Sequence, residues 1–468
     1  MMNVVLGAGI SGLSAAHYLL KTAQKAVVIE SSGNLGGWIR SVRKSNIVFE
    51  QGPHTVRVAG DGGPNTLALL EDLGLEDRVS AIKSDHPAVK NRMIYVNKHL
   101  HMLPTSIMSL LTTSPPFSKP IVSAIFQDLK TPPKVCEDES IHEFVERRLG
   151  KEIADYLITA MIRGICAGDG KEISVKFLMK SLHEAEQNHG SIVKGIVKNV
   201  LKKQPVKPRL PGTESSLYNK ARNEKWSIWS LTGGLEVLPT TLATFIHKLG
   251  GKINLNEQCT EIKFDSGKAI VKTRSCTYEA DHVFSSLPAY KVAPLLQAQH
   301  PIVARELASI PTVSVAVVNL QYEGKLLSQE AFGFLVPSTE NLALLGIIFD
   351  SVCFPSGDNT VLTVMMGGRW FTDFLGADPS PQKLLDMAVG YVRDILKISV
   401  QPQSHIVSVL RDCIPQYVVG HHGRVARIKQ YINENKLPLS LIGSSFDGVG
   451  VNDVILCARR AVNNIHLK

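Results

Sequence analysis

The sequence lacks any uninterrupted run of about 18 apolar residues, the minimum for a helix that crosses a membrane. Its seven cysteines include no C-x-x-C pair, so its cysteines and histidines do not form a zinc-finger pattern. We therefore predict no spanning helix, no disulfide framework and no metal site. The odd count and wide scatter of the cysteines favour a reducing compartment with buried thiols, although an oxidising space that leaves them unpaired stays open.

An extreme composition is also absent. Hydrophobic residues make up 44% and charged residues 20% of the chain, which favours a globular protein over a disordered, collagen-like or coiled-coil one. The formal net charge of +9 at pH 7 suits an anionic ligand, a nucleic acid or an acidic membrane surface. No nucleic-acid motif or aromatic stacking platform accompanies the basic residues, so we expect no nucleic acid among the partners.

The N-terminal residues form the pattern of a dinucleotide-binding strand, turn and helix. The strand begins at once, which leaves no room for a presequence, so any organelle address is expected to be internal. In the turn, Gly7 allows a tight bend, Gly9 lets the backbone approach a pyrophosphate, and Gly12 lets helix and strand pack. The second strand ends at Glu30, whose carboxylate is expected to bind the ribose hydroxyls. The six residues of the turn are Gly7, Ala8, Gly9, Ile10, Ser11 and Gly12.

The segment after Glu30 bears on which dinucleotide binds. An NAD domain would continue into a helix, whereas E-S-S-G-N-L-G-G-W-I-R-S reads as a loop that folds back over the same ligand. This segment resembles the flavin amine-oxidase superfamily, and its Trp38 variant resembles the protoporphyrinogen oxidase family within it. Phe49 to Pro53 continue the match with the F-E-x-G-P segment that passes beside the flavin. The resemblance implies FAD as the cofactor.

The resemblance extends over nearly the whole chain in the expected order. The blocks are G-A-G-I-S-G, L-G-G-W-I-R, F-E-x-G-P, P-P-F-S-K-P, R-G-I-C-A-G, W-S-x-x-G-G-L-E-x-L-P, V-S-V-A-V-V-N-L, G-F-L-V-P, C-I-P-Q-Y and G-V-x-V-N-D. They imply oxidation of protoporphyrinogen IX to protoporphyrin IX in heme biosynthesis, with three O2 reduced to three H2O2. Flavin N5 would accept hydride from a methylene bridge. We assign no catalytic residue, because no Ser-His-Asp, paired-carboxylate or metal-ligand constellation stands out.

The family's binding residues carry over to matching positions. Arg163 and Gly164 would face the porphyrin, where an arginine fork suits a carboxylate; a surface arginine at a helix end is the alternative from spacing alone. His54 stands where the family is expected to have arginine, and His422 where tryptophan is usual. The expected substrate-binding residues are Arg163, Gly164, Phe332, Leu335, Met365 and His54. Beyond the glycine turn, the expected cofactor-binding residues are Glu30, Ser31, Gly37, Trp38, Gly52, Pro53, His54, Thr55, Cys259, His422, Val449, Gly450 and Val451.

The expected fold class is mixed α/β (α+β). It comprises a discontinuous Rossmann-like FAD-binding domain, a mostly antiparallel substrate-domain sheet and a helical membrane-associating domain. A second glycine turn, Gly448 to Asp453, would close the FAD domain at the isoalloxazine end. Three segments are expected to form the FAD domain: 1–84, 211–290, which also connects to the substrate domain, and 411–468. Residues 85–210 are expected to form the helical domain and line some of the substrate cavity, and residues 291–410 the substrate domain.

The helical segment contains the main membrane signal. Residues 191–210 combine apolar positions at helical spacing with six basic residues and no acid, a pattern typical of a helix in a membrane interface. An ordinary surface helix on a core stays the alternative. The resemblance implies monotopic association with the intermembrane-space side of the mitochondrial inner membrane, a homodimer, and hand-over to ferrochelatase.

Two other functions are compatible with some of these sequence motifs. Another flavin oxidase, of amines or polyenes, would share the glycine blocks but not P-P-F-S-K-P or R-G-I-C-A-G. A GDP-dissociation-inhibitor-like carrier of the same fold would bind no FAD, and Glu30 and the C-terminal turn speak against it.

Overall fold

A computed structural model describes residues 1–44, 47–201, 215–355 and 357–466. The chain folds into two compact units. The dinucleotide unit comprises Met1–Lys83, Arg209–Pro311 and Gly423–Lys468; the sheet unit comprises Ser84–Pro208 and Thr312–His422. The five segments expected from the sequence stay a prediction about domains.

The helices and strands within the described residues are as follows. The helices are α1 (Ile10–Lys21), α2 (Gly63–Asp72), α3 (Pro87–Lys90), α4 (Ile107–Leu111), α5 (Ser123–Lys130), α6 (Ile141–Leu149), α7 (Thr159–Cys166), α8 (Val175–Leu178), α9 (Lys180–His189), α10 (Ile192–Leu201), α11 (Ser216–Asn223), α12 (Val237–Lys248), α13 (Ala289–Leu296), α14 (Pro301–Ala308), α15 (Asp350–Cys353), α16 (Phe371–Leu375), α17 (Pro381–Leu396), α18 (His421–Glu434) and α19 (Val451–His466). The strands are β1 (Met2–Leu6), β2 (Lys25–Ile29), β3 (Ser41–Lys44), β4 (Ile47–Glu50), β5 (Val56–Arg57), β6 (Val79–Lys83), β7 (Met93–Val96), β8 (His99–Met102), β9 (Trp226–Leu231), β10 (Lys252–Asn254), β11 (Cys259–Asp265), β12 (Lys268–Thr273), β13 (Thr277–Ala280), β14 (His282–Ser285), β15 (Thr312–Tyr322), β16 (Gly333–Leu335), β17 (Leu344–Ile348), β18 (Thr360–Gly368), β19 (Ser404–Pro415) and β20 (Leu439–Leu441).

A five-stranded parallel sheet organises the dinucleotide unit. Its order is β10-β2-β1-β14-β20, so strands from three distant regions of the chain lie side by side. The central strands are short apolar runs, as expected where helices cover both faces of a parallel sheet. Helices α1, α12 and α19 contribute to the core on one face, and α13, α14 and α18 to the core on the other. The predicted discontinuous Rossmann-like fold is confirmed.

A seven-stranded sheet organises the sheet unit, in the order β19-β15-β18-β17-β16-β7-β8. Every neighbouring pair is antiparallel except β16 and β7, which confirms the mostly antiparallel prediction. One face packs against α17 through a core that includes Leu384, Ala388 and Val392. The other face bears Leu335 and Met365, which the sequence assigns to the substrate.

The helical residues 107–201 also belong to the sheet unit. A π-helical stretch, Ile153–Ile158, leads directly into α7. The predicted amphipathic helix is observed as α10, whereas residues 202–210 of that prediction lie outside the described residues. Among the described residues, no helix combines the length and apolar character that crossing a bilayer requires.

Candidate functional site: a dinucleotide cradle and an apolar sheet face

The first glycine turn joins the end of β1 to α1. Gly7 has a φ of +95°, and its N–H donates to the carbonyl of Ile29 at 2.8 Å. A Cβ on Gly12 would lie 2.0 Å from the carbonyl oxygen of Gly7, so only glycine permits this approach. No side chain caps the N-terminus of α1. The free backbone N–H groups of this long helix suit a pyrophosphate.

Glu30 lies beside this turn at the end of β2. One carboxylate oxygen accepts the N–H of Ala8 at 2.9 Å. The other accepts the N–H and the hydroxyl of Ser32, each at 2.8 Å, and the hydroxyl of Ser31 at 3.3 Å. The same end of the sheet includes Glu257, whose N–H donates to the Glu30 carbonyl at 2.8 Å, and β11 begins shortly after it at Cys259. Glu30, Ser31 and Cys259 therefore lie in one region of the unit.

The loop after Glu30 folds back on the glycine turn, as the sequence predicts. The N–H of Gly36 donates to the carbonyl of Ala8 at 2.8 Å, and Gly9 and Gly36 form a parallel bridge. A Cβ on Gly37 would lie 3.1 Å from the Cα of Gly9. Trp38, next in the loop, is exposed.

The F-E-x-G-P segment is held by buried hydrogen bonds. The carboxylate of Glu50 accepts the hydroxyl of Ser41 at 2.7 Å and the N–H of Leu235 at 2.8 Å. Glu236 also bonds to Ser41, since its carboxylate accepts the N–H of Ser41 at 3.2 Å. Both glutamates lie within the sequence motifs, but sequence reasoning assigned them no role. Beyond Glu50, His54 is buried, whereas Gly52, Pro53 and Thr55 are half-buried.

The C-terminal glycine turn lies next to the first one. The hydroxyl of Ser11 is 3.5 Å from the carbonyl oxygen of Val454 in α19, and α1 and α19 share one core. The amide nitrogen of Asn452 donates to the carbonyl of Arg57 at 2.8 Å, whereas its Oδ1 is buried without a partner. Gly448 has a φ of +123°. The remaining residues of this turn that the sequence assigns to the cofactor are Val449, Gly450 and Val451.

Arg163 lies at the end of α7 in the sheet unit and is 2% exposed, which excludes the surface alternative. Its guanidinium donates to the carbonyls of Pro337, Leu342 and Leu344 at 3.0, 2.7 and 3.0 Å. The Trp370 ring lies 4.9 Å from the guanidinium carbon. The Nε is buried without a partner, and burial lowers the pKa of Arg163 to about 10. The guanidinium therefore stays charged near neutral pH.

Two predicted substrate residues, Leu335 and Met365, meet on one face of the seven-stranded sheet. Cross-strand pairing places Leu335, Gly346 and Met365 in one row across β16, β17 and β18. A Cβ on Gly164 would lie 2.5 Å from a methyl carbon of Leu335, so α7 packs directly against this row. Phe332 precedes β16, and the guanidinium carbon of Arg92 lies 5.9 Å from its ring centre. Leu335, Gly346 and Met365 therefore form an apolar row on this face, against which α7 packs at Gly164.

Comparison with known proteins decides the family. The model of the family described as flavin containing amine oxidoreductase matches residues 10–466. The chain belongs to the flavin-containing amine oxidoreductase family. Its relatives include human protoporphyrinogen oxidase, 40% identical over 99% of this chain and 98% of the human protein. Protoporphyrinogen oxidase of Schizosaccharomyces pombe is 30% identical over 97% of this chain and 96% of that protein.

Solved structures agree on the fold of this flavin-containing amine oxidoreductase. A structure from Exiguobacterium sp. 255-15 matches with a TM-score of 0.78 and 22% identity, and covers 100% of this chain and 98% of that one. The cofactor of the chain is FAD. Its dinucleotide unit fits that cofactor, since it offers a close glycine turn, an acidic residue for ribose and an unpaired buried acceptor in Asn452.

His422, the other departure from the expected pattern, lies in the sheet unit of this flavin-containing amine oxidoreductase. The His421 ring stacks on Tyr417 with centroids 3.9 Å apart, and the His422 ring meets the Tyr417 ring edge-on at 6.2 Å. The His422 imidazole is therefore held within an aromatic group that includes Tyr417 and His421.

Replacing Arg163 with lysine is expected to destabilise the sheet unit. An ammonium cannot span the carbonyls of Pro337, Leu342 and Leu344, and each lost charge-assisted bond contributes roughly 1.5–3 kcal/mol. We expect a fall of about 3 kcal/mol in unfolding free energy, measured by denaturant unfolding of the FAD-bound protein. The matched control is Arg369→Lys, whose exposed guanidinium pairs with Glu172; a surface pair contributes about 0–1 kcal/mol. Equal losses in both variants would contradict the structural role of Arg163.

Proposed function

We propose that this flavin-containing amine oxidoreductase oxidises protoporphyrinogen IX to protoporphyrin IX. Six hydrogens leave the porphyrinogen, and three O2 accept them to give three H2O2. The observation that carries the proposal is the 40% identity with human protoporphyrinogen oxidase over 99% of the chain. The apolar sheet face of Leu335, Gly346 and Met365 supports it, because a porphyrinogen is a large apolar ring.

Within this proposal, the bound flavin supplies a two-electron acceptor, and the chain binds and orients. The glycine turn and the N-terminus of α1 hold the pyrophosphate, and Glu30 with Ser31 holds the ribose. The N-terminus of α19 would hold the isoalloxazine end of the flavin, where the helix dipole would favour negative charge. The further cofactor contacts are Gly37, Trp38, Gly52, Pro53, His54, Thr55, Cys259, His422, Val449, Gly450 and Val451.

On the substrate side, Phe332, Leu335 and Met365 exclude water from the macrocycle. Gly164 lets α7 approach the sheet, so that the apolar face has no gap at Leu335. Arg163 positions residues 337–344 through the carbonyls of Pro337, Leu342 and Leu344, and its charge attracts a propionate. His54 is the second propionate contact.

The test uses the purified, FAD-bound chain. It is mixed with protoporphyrinogen IX without oxygen, and O2 is then admitted while flavin absorbance, porphyrin fluorescence and H2O2 are recorded. Bleaching of the flavin followed by about three peroxides per porphyrin is expected from the six-electron balance. Coproporphyrinogen III, which has four propionates, is the matched alternative substrate and should turn over at least tenfold more slowly. A flavin that no porphyrinogen bleaches would overturn the proposal in favour of an oxidase of amines or polyenes.

An exposed apolar surface supports membrane association. On α4, α5 and α10, Met108, Phe126 and Val200 are 70%, 63% and 72% exposed. Such exposure of large apolar residues is typical of an interaction surface, and Lys194 and Lys198 on α10 suit anionic lipid heads. We assign this surface to the intermembrane-space side of the mitochondrial inner membrane, bound peripherally. A homodimer and hand-over of the product to ferrochelatase belong to the same proposal.

Replacing Phe126 and Val200 with glutamate is expected to reduce binding to anionic liposomes. Burial of each side chain in the interface contributes about 1.5–3 kcal/mol, so the double variant should bind at least tenfold more weakly in co-sedimentation. The control is Ile302→Glu, which changes an exposed isoleucine of α14 in the dinucleotide unit. Unchanged binding of the double variant would exclude this surface.

A further inference from the structure

Three side chains with metal-binding atoms meet between the start of α6 and α9. The candidate ligand atoms of Cys136, Glu139 and His183 all lie within 4.8 Å of one another, and the Sγ of Cys136 is 3.8 Å from the Nε2 of His183. At zinc bond lengths in a tetrahedral site, a sulfur and a nitrogen ligand stand about 3.6 Å apart. We propose that these three residues bind a zinc-type divalent transition-metal ion.

Burial supports a built site. Glu139 and His183 are 4% and 3% exposed, whereas Cys136 is half-buried. The carboxylate and imidazole have therefore already lost most of their hydration, which lowers the cost of binding an ion. The partial exposure of Cys136 gives the ion a route from solvent and leaves the fourth position to water.

Hydrogen bonds hold the cysteine segment against α9 without the help of an ion. The side-chain oxygen of Gln187 accepts the N–H of Cys136 at 3.3 Å, and its amide nitrogen donates to the carbonyl of Lys134 at 2.9 Å. Glu186, also on α9, accepts the N–H of Lys134 at 3.1 Å. Because His183 lies on the same helix, the ligands are positioned in advance.

The positive charges beside Glu139 determine how tightly the site would hold an ion. The Glu139 carboxylate accepts hydrogen bonds from Arg147 at 2.6 Å and from Lys134 at 3.0 Å. Each carboxylate oxygen keeps a second lone pair that can bind a metal ion. The positive charges of Arg147 and Lys134 nevertheless repel an incoming cation. We therefore expect an exchangeable ion. One thiolate, one imidazole and one carboxylate favour Zn²⁺ or Co²⁺ over Mg²⁺ and Ca²⁺.

Binding must also displace a proton. The Cys136 thiol loses its proton to solvent as the sulfur–metal bond forms, so that the bound ligand is the thiolate.

The first test is titration of the chelator-treated, FAD-bound chain with Co²⁺. Tetrahedral Co²⁺ absorbs at longer wavelengths than the flavin, so we expect these bands to saturate at one equivalent and to disappear on adding Zn²⁺. Cys136→Ser and His183→Gln should weaken binding at least tenfold, whereas Cys276→Ser, which changes the exposed cysteine of the dinucleotide unit, should not. No saturable band, or equal binding by all variants, would overturn the site.

A second test needs no variant and so does not depend on folding. Zn²⁺ should slow alkylation of Cys136 at least tenfold, measured by peptide mass mapping, with Cys276 as the internal reference. Equal slowing at Cys276, or none at Cys136, would overturn the proposal.

Discussion

Replacement of Gly12 by alanine is expected to yield a protein that purifies without bound FAD. The added Cβ would lie 2.0 Å from the carbonyl oxygen of Gly7, well inside van der Waals contact. Because that atom belongs to the backbone, no side-chain rotation relieves the clash, and α1 must move away from β1. The N–H groups at the start of α1 would then no longer meet the pyrophosphate. We expect the flavin content, measured from the visible absorbance of the purified protein, to fall at least tenfold, and oxidase activity with it.

The matched control for Gly12→Ala is the same substitution at Gly390 in α17. A Cβ there meets no atom within 4 Å, so alanine should leave the flavin content unchanged. It should also stabilise the protein by about 0.5–1 kcal/mol, since glycine is unfavourable within a helix. Full flavin content in Gly12→Ala would contradict the assignment of the turn to the pyrophosphate.

The features of the fold that were predictable are those determined locally. The spacing of Gly7, Gly9 and Gly12 required a strand, a tight turn and a helix. The apolar run after Asp281 is typical of a parallel strand that returns to such a sheet, and it forms β14 beside β1. In each case the determining residues are neighbours in sequence, and periodicity and turn chemistry describe them directly.

The connections that sequence reasoning missed join residues far apart along the chain. Ser41, Glu50 and Glu236 form one buried cluster only because β3, β4 and the turn before α12 pack together. Arg163 was expected to bind a carboxylate, and its bonds to backbone carbonyls depend on the path of residues 337–344, which spacing does not reveal. Cys136, Glu139 and His183 likewise come together only through the fold, since Cys136 and His183 stand far apart in the sequence.

Replacement of Asp128 by alanine is expected to destabilise the helices that present the exposed apolar surface. Asp128 and Arg148 are fully buried, and the Nε of Arg148 donates to the Asp128 carboxylate at 2.6 Å. The same carboxylate accepts the hydroxyl of Ser191 at 2.6 Å and the N–H of Val193 at 2.9 Å. It therefore joins α5 and α6 and also caps α10. Alanine would remove the carboxylate nearest the buried Arg148 guanidinium and leave Glu186, at 3.6 Å, as its remaining carboxylate partner. Removing one partner of a buried ion pair costs about 3–5 kcal/mol.

The measurement for Asp128→Ala is native-state hydrogen exchange of the amides in α10. A loss of about 3–5 kcal/mol corresponds to exchange that is faster by more than a hundredfold, since 1.4 kcal/mol is a factor of ten. The control is the double variant Asp128→Ala/Arg148→Met, which removes both buried charges and should recover some of the loss. A double variant less stable than the single one would contradict the account.

The pH dependence of the wild-type protein gives the same interaction an independent readout. Burial raises the pKa of Asp128, but the hydrogen bonds from Ser191, Val193 and Ile192 and the charge of Arg148 outweigh it and lower the pKa. A carboxyl group whose pKa is lower in the folded than in the unfolded state stabilises the fold at pH values above its unfolded pKa of about 3.9. That stabilisation is lost as the pH falls through the pKa of the folded state. Protection of the α10 amides should therefore decline on acidification below about pH 4 in the wild type. The double variant lacks the Asp128 carboxyl, so its α10 should not lose protection through this titration. Because α10 presents Val200 and its lysines only while it is folded, liposome binding should decline over the same range of pH.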